Sequence, residues 1–235
     1  MKVKRSVRKQ TIQGWDLSLN HAGVVEFVGD EMSRYWFITN DKKAAKHDAK
    51  NSFLITVPDG CPKDMVPYYR LNWWRGFIPK FLMDTHPDLV AIEDYAFNAK
   101  GRVISIGELG SIARLGVLDA GCKLRLHDPT TIKLFAARNG AADKSMMERA
   151  VDERWGVDFD SVNVPMRKSR AVSEDLADAY ALTKFLSTEL KLRQGSMLVR
   201  DLGPEDIRCF NRVTKANPIN LLDREFLQWK TDDEI

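Results

Sequence analysis

Four acids stand where acids are costly. Asp16 lies inside the apolar segment Gly14-Trp15-Asp16-Leu17-Ser18. Glu93 closes the apolar run Leu89-Val90-Ala91-Ile92-Glu93 and is followed at once by Asp94. Asp175 and Asp178 lie in SEDLADAYAL, and a spacing of three puts both carboxylates on one face of a helix. A carboxylate among core residues loses hydration that something must replace. A divalent cation is one solution: Mg²⁺ takes oxygen ligands, usually one or two carboxylates with water and phosphate oxygens. Four acids from three segments could hold two ions about 3.5–4 Å apart, one activating water and the other stabilising the leaving oxygen of an in-line phosphodiester displacement. Taken singly, a strand-end acid is a cap or a solvated edge, and a D-x-x-D helix is a surface face. Their conjunction, in this order, is what points to chemistry. The other polar candidates are plainer. His21, His47, His86 and His127 show no ligand spacing and read as structural. Cys61, Cys122 and Cys209 are odd in number and far apart, with no CxxC, so a disulfide framework or a cysteine zinc site is not expected and a reducing cytosolic setting is.

The elements that must position these acids follow from periodicity. Thr11 to Leu19, Val24 to Val28 and Tyr35 to Thr39 read as three strands of an antiparallel meander, with a turn at His21-Ala22-Gly23. Residues 40–63, rich in Lys, Asp, Asn, Pro and Gly, read as a loop or insertion. Residues 64–86 switch to helical spacing through Tyr69, Trp73, Trp74, Phe77, Ile78, Phe81 and Leu82, with a kink or break predicted at Pro79. Leu89 to Glu93 reads as a buried central strand. Residues 101–120 follow as a helix, Lys123 to His127 as a strand, and Pro129 opens a short helix ended by Asn139-Gly140. Residues 142–155 and 172–192 read as two more helices. Leu221, Leu222, Phe226, Leu227 and Trp229 could dock a final one. Strands interleaved with helices predict an α/β class: a mixed sheet with helices packed on it.

The composition is that of a globular chain. The 235 residues are 44% hydrophobic and 29% charged. No stretch approaches the roughly 20 apolar residues of a membrane span, and the basic opening MKVKRSVRKQ lacks the apolar region of a secretory signal. Net charge is +3, from 36 Lys and Arg against 33 Asp and Glu. The total hides local clusters: Lys2, Lys4, Arg5, Arg8 and Lys9; Lys42, Lys43, Lys46 and Lys50 diluted by Asp41 and Asp48; and Arg167, Lys168 and Arg170. Such runs meet phosphate through counterion release, or are ordinary solvated surface.

The same residues resemble the RuvC family of Holliday junction resolvases, in the RNase H-like superfamily. That family has G-x-D-x-G/S at the end of its first strand, here Gly14, Asp16 and Ser18; an apolar strand ending in Glu, here Glu93; and P-x-x-x-K, here Pro129 and Lys133. It then has a G-x-G-x-A-D-K turn, here RNGAADKSMM at 138–147, and D-x-x-D-A, here Asp175, Asp178 and Ala179. The matches span about residues 11–190. No single motif is specific; their shared order carries the likeness.

The resemblance implies an RNase H-like mixed sheet with helices on both faces over residues 1–194, and a C-terminal extension at 195–235. It implies a dimeric, Mg²⁺-dependent endonuclease, with Mn²⁺ able to substitute, that nicks paired strands of a four-way DNA junction. Asp16, Glu93, Asp175 and Asp178 would bind the metals. Lys144 would approach the scissile phosphate, and without the motif it reads as a surface helix lysine. Lys133 is a weaker candidate for DNA backbone contact; Arg138 could tighten phosphate contact or merely decorate its loop; and Arg167, Lys168 and Arg170, just before the helix of Asp175 and Asp178, could grip the DNA backbone. A histidine sometimes assists in the wider superfamily, so none of the four is set aside. The sequence departs from the family in two places. Arg138 stands where the family turn has glycine. Ala96 stands where the family often has a base-stacking aromatic, flanked by Tyr95 and Phe97, for which stacking and plain packing are both open. Residues 40–63 and 195–235 are longer than a minimal member needs. The helix at 101–120 is either the dimer face or a cover for the sheet. The expected setting is the cytoplasm, bacterial or that of a phage host. The competing readings are a broader branched-DNA or RNA–DNA hybrid nuclease on the same fold, and a non-catalytic junction-binding protein.

Overall fold

The structure, a computed structural model, describes residues 9–94, 103–159 and 171–216, with backbone alone for 103–106, 171 and 212–216. Strands β1 (Thr11–Leu17), β2 (His21–Val28) and β3 (Glu31–Thr39) form the expected antiparallel meander. Two parallel strands extend it past β1: β5 (Leu89–Glu93) and β6 (Lys123–His127). With β4 (Ser52–Leu54) parallel to β3 at the far edge, the six-stranded order is β4-β3-β2-β1-β5-β6.

Helices cover both faces, and the two-residue alternation of the strands assigns side chains to each. Ile12, Val25, Phe27, Leu89 and Ala91 pack under α4 (Pro129–Ala137), α5 (Lys144–Trp155) and α6 (Ala171–Arg193). Trp15, Val24, Trp36, Val90, Ile92, Leu124 and Leu126 pack under α2 (Val66–Thr85) and α3 (Val103–Asp119). The last described helix, α7 (Pro204–Ala216), sends Cys209 and Phe210 into the first of these cores, where Phe210 stacks on Phe185 at 4.5 Å. The segment after residue 195 is thus packed on the sheet domain at least through Phe210.

Three expectations are corrected. His21-Ala22-Gly23 is not the turn: these residues open β2, Ala22 and Gly23 pairing with Leu17 and Asp16, and the chain turns at residues 18–20 instead. Residues 40–63 are not all loop: they hold α1 (Lys42–His47) and β4. The Asp41 side chain caps α1 by accepting from the backbone N–H of Lys43 and Ala44, while β4 is three residues long, too short to show a period. Pro79 does not break α2, which runs unbroken from 66 to 85. Its ring lies on the exposed side of the helix, where water can take the carbonyl that loses its donor. The possible final helix over Leu221–Trp229 lies outside the described residues.

Candidate active site

Parallel pairing of β1 with β5 sets Trp15 beside Ile92, so Asp16 and Glu93 follow at the same ends of neighbouring strands. Both fall on the α6 face, one residue out of phase with Trp15 and Ile92. Crevices at the carboxyl ends of parallel strands are where open α/β sheets hold their ligands.

Two glycines let α6 reach the acids. A Cβ on Gly14 would lie 2.7 Å from the Ala179 carbonyl oxygen and 2.8 Å from the Thr183 nitrogen. A Cβ on Gly23, which pairs with Asp16, would run into the Asp175 carbonyl and sit 2.9 Å from the Leu176 nitrogen. With hydrogen in both places the helix backbone lies directly on the sheet. The Thr183 hydroxyl closes the contact, donating to the Ala179 carbonyl at 2.7 Å with the Val25 carbonyl at 3.2 Å. Asp175 and Asp178 are thereby lowered toward Asp16.

Lys144 is the first residue of α5, behind the N-cap Asp143, whose carboxylate accepts from the Met146 N–H at 2.8 Å. Its ammonium hydrogen-bonds Asp175 and lies 4.0 Å from both Asp16 and Asp178. One cation thus faces three carboxylates, with Glu93 near enough to act on them. The acids respond as crowded like charges do. Burial first, then Asp175, pushes Asp16 up to about 6. Burial first, then Asp16, pushes Glu93 up to about 8. Asp178 is raised well above its ordinary value by burial, Asp16 and Glu93. Lys144 moves the other way: burial opposes its charge, but Asp16 and Asp175 outweigh it and hold the ammonium protonated.

Reasoning from sequence missed His21. Its Nδ1 is hydrogen-bonded to Asp175, and its pKa rises because that bond and the Asp175 charge outweigh burial. The signal was available in the alternation of β2: His21 lies two residues before Gly23 and shares its face. Ser18 fixes the hairpin beneath it, its hydroxyl donating to the His21 carbonyl at 2.7 Å.

Of the other expected site residues, one borders this cluster and one is engaged elsewhere. Lys133 on α4 is near enough to oppose the rise of Glu93. Arg138 ends α4 in the left-handed region (φ 58°), the conformation for which glycine is suited. Its guanidinium forks onto Asp206 of α7 at 2.7 and 3.1 Å, and Arg154 of α5 binds the same carboxylate at 2.8 and 3.0 Å. Arg154 also donates to the Phe135 carbonyl. The side chain expected at the DNA backbone is therefore engaged in latching α7 to the α4–α5 connection. Tyr95, Phe97, Arg167, Lys168 and Arg170 lie outside the described residues. Asp94 faces away toward α3, where Arg114 donates to it at 2.8 Å.

Among the described residues, no three His, Cys, Asp or Glu side chains converge as a preformed metal cage. The Lys144 ammonium stands among Asp16, Asp175 and Asp178 instead. The donor set nonetheless fits a hard divalent cation: all oxygen, largely buried, with pKa values raised first by burial and then by one another's charge.

No family model matches the chain. Curated relatives do. It is 27% identical over 163 residues to the crossover junction endodeoxyribonuclease RuvC of Caldanaerobacter subterraneus subsp. tengcongensis, covering 68% of this chain and 80% of the relative. It is 27% identical over 129 residues to that of Chloroflexus aggregans, covering 54% and 70%. Among solved structures, Thermus thermophilus RuvC superposes with a TM-score of 0.50 at 17% identity, over 79% of this chain and 97% of that one. The same protein bound to a Holliday junction superposes with an equal score. In sequence the chain is similar to RuvC proteins, and its mixed sheet with helices on both faces is the RNase H-like fold.

Proposed function

We propose that the protein is a metal-dependent, structure-specific endodeoxyribonuclease that resolves four-way DNA junctions by paired nicks. The observation that carries this reading is the cluster itself: Asp16, Asp175 and Asp178 around Lys144, with Glu93 on the adjoining strand. Curated relatives are named crossover junction endodeoxyribonucleases, and a structural neighbour is described with its junction substrate. Asp16, Glu93, Asp175 and Asp178 would hold divalent metal, with Mg²⁺ the expected ion and Mn²⁺ a substitute. A cation there supplies Lewis acidity, easing both deprotonation of the attacking water and charge build-up on the leaving oxygen. The chain's own groups do the rest. His21 orients Asp175 through its ring nitrogen. Lys144, which hydrogen-bonds Asp175, would offer its ammonium to a phosphate oxygen of bound substrate. Lys133, near Glu93, offers a second cation to the backbone.

Paired nicks need two sites, which a homodimer provides. Leu115 and Leu118, one turn apart on α3, are 61% and 45% exposed and suit such an interface. No described helix is long and apolar enough to cross a membrane, and a cytoplasmic setting goes with the proposed substrate. The test compares labelled four-way junction, flap, RNA–DNA hybrid and linear duplex side by side, with and without Mg²⁺. The junction should be cut fastest, and only with metal. Equal cutting of linear duplex sinks the junction assignment while sparing the metal site.

A further inference from the structure

The acids are not alone at their end of the sheet. β3 runs parallel to β1, so its last residue, Thr39, points the chain to the same end as Asp16. There the Asn40 N–H meets the Asn20 carbonyl at 3.0 Å, and α1 begins two residues later. β4 runs parallel to β3 and returns the chain to this end, where the Ile55 N–H donates to the Thr39 carbonyl at 2.8 Å. The connection then leads to the start of α2, which runs back toward β5. Arg70, in the second turn of α2, donates to the Asn20 side chain, one residue from the His21 that holds Asp175. The two ends of the β3–α2 connection thus meet the tip of the β1–β2 hairpin, at Asn40 and at Arg70, both on Asn20.

What this rim exposes is suited to one class of partner. Lys42, Lys43 and Lys63 are exposed and Arg70 is half-buried; among the described residues none of the four is paired with a carboxylate. Asp41 caps α1 and Asp48 accepts from the Tyr35 hydroxyl and the Asn51 side-chain amide, which leaves Asp59 and Asp64 as the remaining opposing charges of the connection. Tyr68 and Tyr69 sit beside Arg70 with 59% and 40% of their surfaces open, among the few large apolar side chains left in solvent. Unpaired cations next to open aromatic rings match a nucleic-acid backbone with an accessible base: phosphates take the cations, and any base presents a face to a ring.

We propose that this rim, residues 40–70, is a DNA-binding surface that grips an arm of the substrate beside the scissile strand. Lys42, Lys43, Lys63 and Arg70 contact phosphates, and Tyr68 stacks on a base unpaired near the branch point. The proposal rests on the nuclease reading for its substrate but not for its measurement, which is binding without cleavage.

Fluorescence anisotropy with a labelled four-way junction in EDTA gives Kd across a salt series for the full chain. The triple variant Lys42→Ala, Lys43→Ala and Arg70→Ala should weaken binding about tenfold or more. It should also lower the slope of log Kd against log salt by about 2–3, one increment per lost phosphate contact. Lys42→Glu with Lys43→Glu, which leaves α2 untouched, should weaken binding further. Tyr68→Ala should restore the fluorescence of 2-aminopurine placed at the branch point, and Tyr68→Phe should leave it quenched. Unchanged Kd and slope in both charge variants overturn the rim while the wild type still binds and cuts. A wild type that binds junctions but never cuts them overturns the nuclease reading and leaves the rim standing. A wild type that binds no DNA overturns both.

Discussion

Helix α6 carries buried acids at both ends, in opposite electrostatic circumstances. Toward its C-terminus, Glu189 is fully buried and receives Arg125 at 2.9 and 3.0 Å and Arg193 at 2.8 Å, with His127 at 3.5 Å. Burial would raise its pKa, but the two arginines outweigh burial and lower it, while His127 beside them is held neutral, its own pKa pushed down to about 3 by burial and Arg125. Toward the N-terminus, Asp175 and Asp178 share one lysine with Asp16, and both Asp16 and Asp178 are raised. The first cluster is complete as it stands. The second has more negative charge than the protein neutralises, which is the condition of a site built to receive a cation. A buried acid is therefore informative less by being buried than by how far its neighbours offset it.

The largest test of that contrast is catalytic. Asp16→Asn should lower junction cleavage in Mg²⁺ on the order of a thousandfold or more while junction binding persists. Full activity in the variant would remove Asp16 from the site. Next comes stability. Glu189→Gln leaves two buried guanidiniums without their carboxylate and should cost about 3–5 kcal/mol in urea unfolding. A loss no larger than a surface substitution would mean that the Arg125–Glu189–Arg193 cluster is not the structural counterpart described above.

The smallest effect is the pH response of metal-free protein. Asp16 and Glu93, held up to about 6 and about 8, bind more protons folded than unfolded above the ordinary carboxylate range. Their contribution is fully present at low pH and is lost progressively as pH rises through those values. Glu189, lowered on folding, contributes above the ordinary carboxylate pKa and is lost only in acid. Thermal melts across this range, with and without Mg²⁺, should show the decline without metal and a flatter profile with it. An apo protein that gains stability from pH 5 to 8 contradicts the assignment of crowded charge.

The sequence made the acids legible because each announces itself locally. Asp16 and Glu93 interrupt apolar strands, and the Asp175–Asp178 spacing is a helical one. The β1–β3 meander and the main helices followed from the same periodicities, but β4 and the order of the strands in the sheet did not. His21 was not legible, because its role depends on hairpin register and on a partner 154 residues away. Arg138 drew attention only as a departure from a glycine motif. The reason, Asp206, lies 68 residues downstream on a helix that no motif marks. Gly14 was legible as part of a motif, but its physical task appeared only once Ala179 and Thr183 were seen against it.

The latch between Asp206 and the arginines Arg138 and Arg154 has a consequence for the order in which the protein is made. Synthesis runs from the N-terminus, and a domain folds as its residues emerge. All four acids and Lys144 are translated before Asp206. A nascent chain can therefore contain the whole acid cluster while the left-handed Arg138 and the end of α5 still lack their shared carboxylate. The connection that carries Lys144 receives its last fastening from α7, so a chain that stops short of residue 206 holds every acid of the cluster but is mechanically unfinished.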